Sequence, residues 1–354
     1  MDAELDTLAT ALYVKIDDAL KDNPGLAPWR PAVGICPKLS DAELLTLCVL
    51  QALGGFVSDA RFLRHARAHL LGAFPYLPNQ PGYNKRVRKA IPQIKAMIRL
   101  LARDTDTFFD DLWVIDSTPV ECGRSRPTAK RSDLAGYANY GYCASHSRWF
   151  WGLRLHLICT PSGLPVAFAL ANAKADEREV ARDMLEIDPH LLARRPGQKI
   201  MGDKGYASSE FEAFLADHGA TLIRPARSNE KGRANSAFLK PLRQLIESVN
   251  DTLKGQLDLE RHGGRTDEGV FARVLQRLAA LTAAIWHNSQ TGQPALRSLI
   301  AYDHCSPLGI IHLVQRDQDG NKPQAGGQGR HCLTENRAKR PTGVSDLHGM
   351  AWRV

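Results

Sequence analysis

Three carboxylates in this 354-residue chain fall in an order that suits metal-assisted chemistry on phosphate esters. Asp116 closes the apolar run Leu112-Trp113-Val114-Ile115 and precedes Ser117-Thr118-Pro119. Its carboxylate is expected where the chain leaves a sheet, the place at which open α/β sheets put their chemistry. The same four residues also make a good turn. Asp203 stands after a second apolar stretch, inside Gly202-Asp203-Lys204-Gly205-Tyr206, where flanking glycines allow backbone to approach a bulky ligand. A tight turn is the alternative reading there. Glu247 lies in a helical stretch in which Leu242, Leu245, Ile246, Val249 and Leu253 form one apolar stripe. Arg243, Glu247 and Lys254 recur on a separate face at i, i+4 and i+11. A solvated Arg243–Glu247 ion pair would show the same spacing. As a set, the three are oxygen ligands for hard divalent cations. Two such ions can activate an attacking oxygen and stabilise a leaving one in an in-line displacement at phosphorus. With two ions, at least one carboxylate must bridge, and Asp116 is assigned that role.

The elements needed to position these groups are legible in the periodicity. From residue 1 to about 107 apolar residues recur at helical spacing, as in Leu5, Leu8, Leu12 and Ile16, and Ser40 with Glu43 forms a capping box. A further helix is expected near Ser58, and another carries Lys85, Arg86, Arg88 and Lys89, with Pro92 bending or restarting it. This all-α N-terminal domain, 1–107, reads as DNA-end binding or as a dimerisation and packing module. Beyond Asp111 the period changes. Leu112 to Ile115, the alternating run around Trp151, Leu153, Leu155 and Leu157, and Pro165 to Leu170 read as three strands, the last two a hairpin across Pro161-Ser162-Gly163. A helix capped by Asp176 with Glu179, a strand from Lys199, a helix from Ser208, a strand from Thr221 and a long helix from Pro241 to about Leu259 follow. The order β-β-β-α-β-α-β-α predicts an α/β fold, a ribonuclease H-like mixed sheet flanked by helices, over 108–290. An amphipathic helix from Gly269 to His287 is expected to pack on it. The remaining 291–354 form a C-terminal extension, polar and glycine-rich past about 305 and expected to be disordered there.

These motifs resemble those of DDE-type transposases of bacterial insertion sequences. The resemblance rests on Val-Ile-Asp116-Ser-Thr-Pro-Val, Gly-Asp203-Lys-Gly-Tyr and Arg243-x3-Glu247-x6-Lys254. The family's third motif is written Y-x2-R-x3-E-x6-K, and Lys240 stands where its tyrosine would be. The resemblance implies catalytic and metal-binding roles for Asp116, Asp203 and Glu247, with two Mg2+ ions for which Mn2+ substitutes. It implies cleavage at the element ends and transfer of the exposed 3′-hydroxyl into target DNA. It also implies a homodimer or higher assembly holding the terminal inverted repeats together.

Charge is consistent with a polyanionic partner: 46 Lys and Arg against 38 Asp and Glu leave a net charge of +8. An ordinary basic enzyme has the same balance. Between the first two carboxylates, Arg124, Arg126, Lys130 and Arg131, followed by Arg148 and Arg154, alternate with Tyr137, Tyr140, Tyr142, Trp149 and Trp151. These read as DNA contacts and base-stacking aromatics, or as a solvated loop with core aromatics, Trp151 being assigned to the core. Arg224, Arg227, Lys231 and Arg233, with Arg243 and Lys254, are expected to hold DNA backbone, and Arg261 and Arg265 extend the set. His156 and His262 are assigned structural roles. Seven scattered cysteines without a C-x-x-C pair suggest neither a disulfide framework nor a zinc site. No secretory leader or membrane span is expected, so a bacterial cytoplasmic location follows. Two rival readings share the triad: a ribonuclease H-like nuclease without strand transfer, and a domesticated DNA-binding protein that no longer catalyses.

Overall fold

The computed structural model describes residues 3–27, 36–143, 147–227, 230, 236–297, 299 and 302, and for 236–243 the backbone alone. The N-terminal part is helical, as its periodicity predicts: α1 (Ala3–Asp22), α2 (Asp41–Leu53), α3 (Asp59–His69), α4 (Gln80–Lys89) and α5 (Ile91–Arg103). Ser40 and Glu43 close the capping box ahead of α2, each side chain accepting from the other's backbone N–H. Ser58 caps α3, and Pro92 sits in the first turn of α5, where its missing N–H costs nothing.

The sheet strands are β1 (Leu112–Gly123), β2 (Asn139–Cys143), β3 (Arg148–Cys159), β4 (Pro165–Asn172), β5 (Lys199–Met201) and β6 (Thr221–Ile223). Helix α6 (Arg126–Arg131) lies between β1 and β2, α7 (Glu177–Ile187) and α8 (His190–Ala193) between β4 and β5, and α9 (Ser209–Asp217) between β5 and β6. The order across the sheet is β2-β3-β1-β5-β6, with β4 paired to β3. β1 runs antiparallel to β3 and parallel to β5, which is parallel to β6. An antiparallel meander leading into parallel crossovers gives the ribonuclease H-like mixed sheet, as the element order predicts.

Within the sheet, two features differ from the sequence expectation. β1 does not end at Asp116; it continues through Pro119 to Gly123. The parallel neighbour β5 stops at the level of Val114, so the later half of β1 has an open edge where a proline can be accommodated. The strand β2, Asn-Tyr-Gly-Tyr-Cys, is an unforeseen edge strand joined to β3.

After the sheet come α10 (Ser236–Asp251) and α11 (Asp267–Gln290). α10 does not run on regularly to Leu259; a π-helical turn spans Thr252–Gln256. α11 is long and apolar enough to cross a membrane by length and composition alone, but its surface is buried by the protein. It packs against α1, α2, α4 and α5, and Arg273 on it bonds Asp59 of α3 at 2.5 Å. Asp59 also receives Gln51, and Gln51 receives the buried Tyr83 hydroxyl at 2.9 Å. Removing one partner of such a buried pair costs about 3–5 kcal/mol. Nearly all the buried apolar residues described belong to one hydrophobic core, with Cys143, Phe150 and Ala173 in a small separate cluster. The C-terminal stretch beyond 305, for which disorder is expected, lies outside the described residues.

Candidate active site

Asp116 and Asp203 meet through strand register. Val114 of β1 pairs with Met201 of β5, and each aspartate lies two residues further along its own chain. Parallel neighbours are about 4.8 Å apart, so the register brings Asp116, within β1, close to Asp203, just past the end of β5, and the charge of Asp203 acts on Asp116. Asp203 is exposed and accepts from the Gly205 N–H at 2.7 Å, capping the short 3-10 turn Lys204–Tyr206. Asp116 sits deeper. Pairing of Asp116 with Leu157 and Ser117 with His156 turns these two neighbours of β1 to opposite faces of the sheet.

On one face α10 covers Asp116, and Asn250 Nδ2 donates to Asp116 Oδ2 at 2.8 Å. On the other, Glu177 at the start of α7 accepts from Ser117 Oγ at 2.5 Å and from Arg154 Nη1 at 3.1 Å. Arg154 also donates to Ser117 Oγ at 2.8 Å and to the Tyr142 carbonyl. Part of Asp116 still meets solvent, yet burial pushes its carboxyl up to about 7, and the nearby negative charges of Asp203 and Glu177 add to the rise. The Ser117 backbone and the Asn250 amide oppose it.

Two glycines make this packing possible. A Cβ at Gly202 would come within 2.8 Å of the Tyr206 ring and 3.2 Å of Ile115. A Cβ at Gly205 would come within 2.9 Å of Asp203 Oδ1 and 3.1 Å of Glu177 Oε2, so these two carboxylates converge on the glycine. The motif Gly-Asp-Lys-Gly-Tyr thus seats a tyrosine ring beside Gly202 and Ile115, next to Asp116 in the chain.

Glu247 is exposed on α10, one turn before Asn250, on the helix that lies over Asp116. Among the described residues no three His, Cys, Asp or Glu side chains are gathered closely enough to hold a metal ion. The structure brings together Asp116 and Asp203; it places Glu247 on the adjoining helix without closing the set. Lys254 is half-buried on the π turn, where the winding differs from the continuous α-helix assumed when it is placed on one face with Glu247. Arg243 belongs to the backbone of α10, and its side chain, like Lys231, Arg233 and the side chain of Lys240, lies outside what is described.

Among the other cations expected at DNA, Arg124, Arg126, Lys130 and Arg131 are exposed on and before α6, with Arg124 paired to Glu121 at 3.0 Å. Arg227 is exposed, and its guanidinium donates to the Ala207 carbonyl at 2.6 Å. Arg224 is a correction: it is buried and holds Glu212 and Glu230, so it shapes the loop instead of facing DNA. Arg148 spans Glu121 and Glu260, and Arg86 of α4 is turned inward to Leu39 and Asp41. Trp151 is buried, as strand alternation predicts, whereas Tyr140, Tyr142 and Trp149 are exposed. Burial pushes both His156 and His262 down to about 4, leaving neutral rings. His262 accepts from the Gly264 N–H at Nδ1 and faces the Glu121 carbonyl through Nε2.

Asn250, Glu177, Ser117 and Tyr206 carry no role at the site in the sequence reading, and Arg154, expected at DNA, instead holds Glu177 and Ser117. For Asn250 a signal was present, because i+3 from Glu247 is the same helix face. Glu177 was hidden beside Asp176, which caps α7 through the Arg178 N–H.

The family model for the transposase DDE domain matches residues 107–283, half of the chain and the whole sheet with α10 and most of α11. Comparison with curated proteins finds no match. With Asp116 inside the central strand of a ribonuclease H-like sheet and Asp203 just past the end of the strand parallel to it, the chain belongs to the transposase DDE domain family.

Proposed function

We propose that this protein is an insertion-sequence transposase that cleaves DNA at the element ends and transfers the exposed 3′-hydroxyl into target DNA. The observation that carries the reading is the placement of Asp116 close to Asp203 at the β1–β5 junction. Family membership makes the chain a transposase-type nuclease, a class of enzyme that acts on DNA and uses divalent metal ions.

The donor set fits such ions. Asp116 is raised to about 7 chiefly by burial, with the charges of Asp203 and Glu177 adding to the rise and an amide as its side-chain hydrogen-bond partner. Excess negative charge of this kind, built from hard oxygen donors, is what Mg2+ or Mn2+ neutralises. Asp116 and Asp203 would hold the ions, with Glu247 supplied by α10. Bound divalent ions would supply activation of the attacking oxygen and charge stabilisation at the scissile phosphate. The chain's own part is orientation. Asn250 fixes one oxygen of Asp116, the Gly205 N–H fixes Asp203, and Arg154 with Ser117 holds Glu177 at the rim. Arg124, Arg126, Lys130, Arg131 and Arg227 offer exposed positive charge for the DNA backbone, with Lys231, Arg243 and Lys254 as further candidates. Because two element ends must be held at once, the working form is a homodimer or larger assembly on DNA.

A joining assay with precleaved element ends tests strand transfer. Covalent joining to target DNA in Mg2+ is the expected result. Cleavage of uncut ends without any joining would reassign the protein as a nuclease.

A further inference from the structure

The hydroxyl of Tyr206 is anomalous. The residue is completely buried, yet its Oη has no hydrogen-bond partner among the described residues. Phenolic hydroxyls taken out of water find an acceptor, because leaving one unpaired is costly. The ring is not loosely placed: it lies beside Gly202 and Ile115 of β1, with Phe211 at 6.4 Å between centroids. The charged groups that act on the hydroxyl are Glu177, Asp116 and Asp203, opposed by Arg154. A donor without an acceptor is therefore buried on the turn where Asp203 and Glu177 converge on Gly205, within the field of three groups that can only accept when ionised.

A phenylalanine would fill the same space against Gly202 without the orphaned donor, so packing alone does not account for the hydroxyl. Among the described residues no three of the carboxylates are gathered closely enough for a metal ion. A cation that drew Asp116 and Asp203 together would shift the acceptors nearest to Tyr206. Groups that hydrogen-bond metal-bound carboxylates orient them, and losing one commonly weakens metal affinity by about 10–100-fold.

We propose that Tyr206 is a positioning residue whose hydroxyl donates to a carboxylate of the Asp116, Asp203 and Glu177 set when a divalent cation is bound. This rests on the metal-dependent reading of the site given above. It assigns to the tyrosine of Gly-Asp-Lys-Gly-Tyr a function beyond packing, and it gives Glu177 a place at the site as one of the hydroxyl's possible acceptors.

Thermal unfolding of the full-length chain, with and without MgCl2, tests it on wild type, Tyr206→Phe and Asp203→Asn. Tyr206→Phe removes one oxygen and keeps the ring. Without added ion it should melt no lower than wild type, because the deleted hydroxyl has no partner in that state. With Mg2+ titrated in, its stabilisation should appear only at concentrations about tenfold or more above those needed by wild type. Asp203→Asn should lose the stabilisation. Equal Mg2+ responses in wild type and Tyr206→Phe, with Asp203→Asn unresponsive, would overturn the role of Tyr206 and leave the metal site standing. A lower melting temperature for Tyr206→Phe without ion would also overturn it, by showing that the hydroxyl already has a structural partner. No Mg2+ response in wild type would overturn the metal reading, and this proposal with it.

Discussion

Asn250 and Asp116, 134 residues apart in sequence, are joined by a 2.8 Å hydrogen bond that ties α10 to the central strand of the sheet. The bond fixes the rotation of the helix that carries Glu247 as well as the direction of one Asp116 oxygen. Asn250→Ala should weaken both. Hydrogen bonds to charged groups contribute about 1.5–3 kcal/mol, so a modest loss of stability is expected. The larger effect should be a tenfold or greater rise in the Mg2+ concentration needed for DNA cleavage. Cleavage measured across a Mg2+ series, beside a melting curve, separates the two. An unchanged Mg2+ requirement would reduce Asn250 to a packing residue.

The raised Asp116 carboxyl has a consequence for stability. Its value rises from 3.8 to about 7 on folding, so between those limits the folded chain holds a proton that the unfolded chain has released. Stability from this group is present below 3.8 and is lost as pH rises through about 7. Asp116→Asn never ionises and escapes that loss. Without divalent ions the variant should melt higher than wild type at pH 8, by an amount on the order of a few kcal/mol at most. The difference should shrink toward pH 4, and added Mg2+ should narrow it by stabilising wild type alone. Melting curves at both pH values check the sign; a variant less stable at pH 8 contradicts it.

The exposed cations divide into two kinds. Arg126→Ala, Lys130→Ala and Arg131→Ala on α6 should leave the melting temperature unchanged. Each should lower DNA affinity on specific and random sequences alike, flattening the salt dependence by ~0.9 for each phosphate that is no longer neutralised. Arg227→Ala should do this and also lower the melting temperature, because its guanidinium holds the Ala207 carbonyl. Salt titrations of DNA binding read the first effect. A shifted preference among DNA sites with an unchanged slope would contradict a backbone-contact role.

Much of this architecture is legible in the chain. The caps at Ser40 and Ser58 are chemical signals that act locally, and the alternation through Leu153, Leu155 and Leu157 reports a sheet face directly. Asp116 and Asp203 could be paired in advance because each follows a short apolar strand. What escaped was set by tertiary context. Pro119 disguised the second half of β1, since proline is tolerated there only because β5 ends early. β2 is short and rich in Tyr and Gly, with no apolar alternation to mark it. The π turn at Thr252–Gln256 leaves the apolar stripe through Leu253 intact, so the change of winding under Lys254 has no sequence signature. Glu177 and Arg154 meet only because α7 folds back over β3, a contact that spacing along the chain does not reveal.

Whether Asp116 and Asp203 with Glu247 from α10 form one DNA-cleaving site is decided by cleavage of DNA carrying the element's own terminal repeats in Mg2+. Asp116→Asn, Asp203→Asn and Glu247→Gln keep side-chain shape and remove one ligand charge each. All three should bind the repeats about as well as wild type and yield no cleaved or joined product. Cleavage at wild-type rate by either aspartate variant would contradict the site itself, and by Glu247→Gln the claim that α10 completes it.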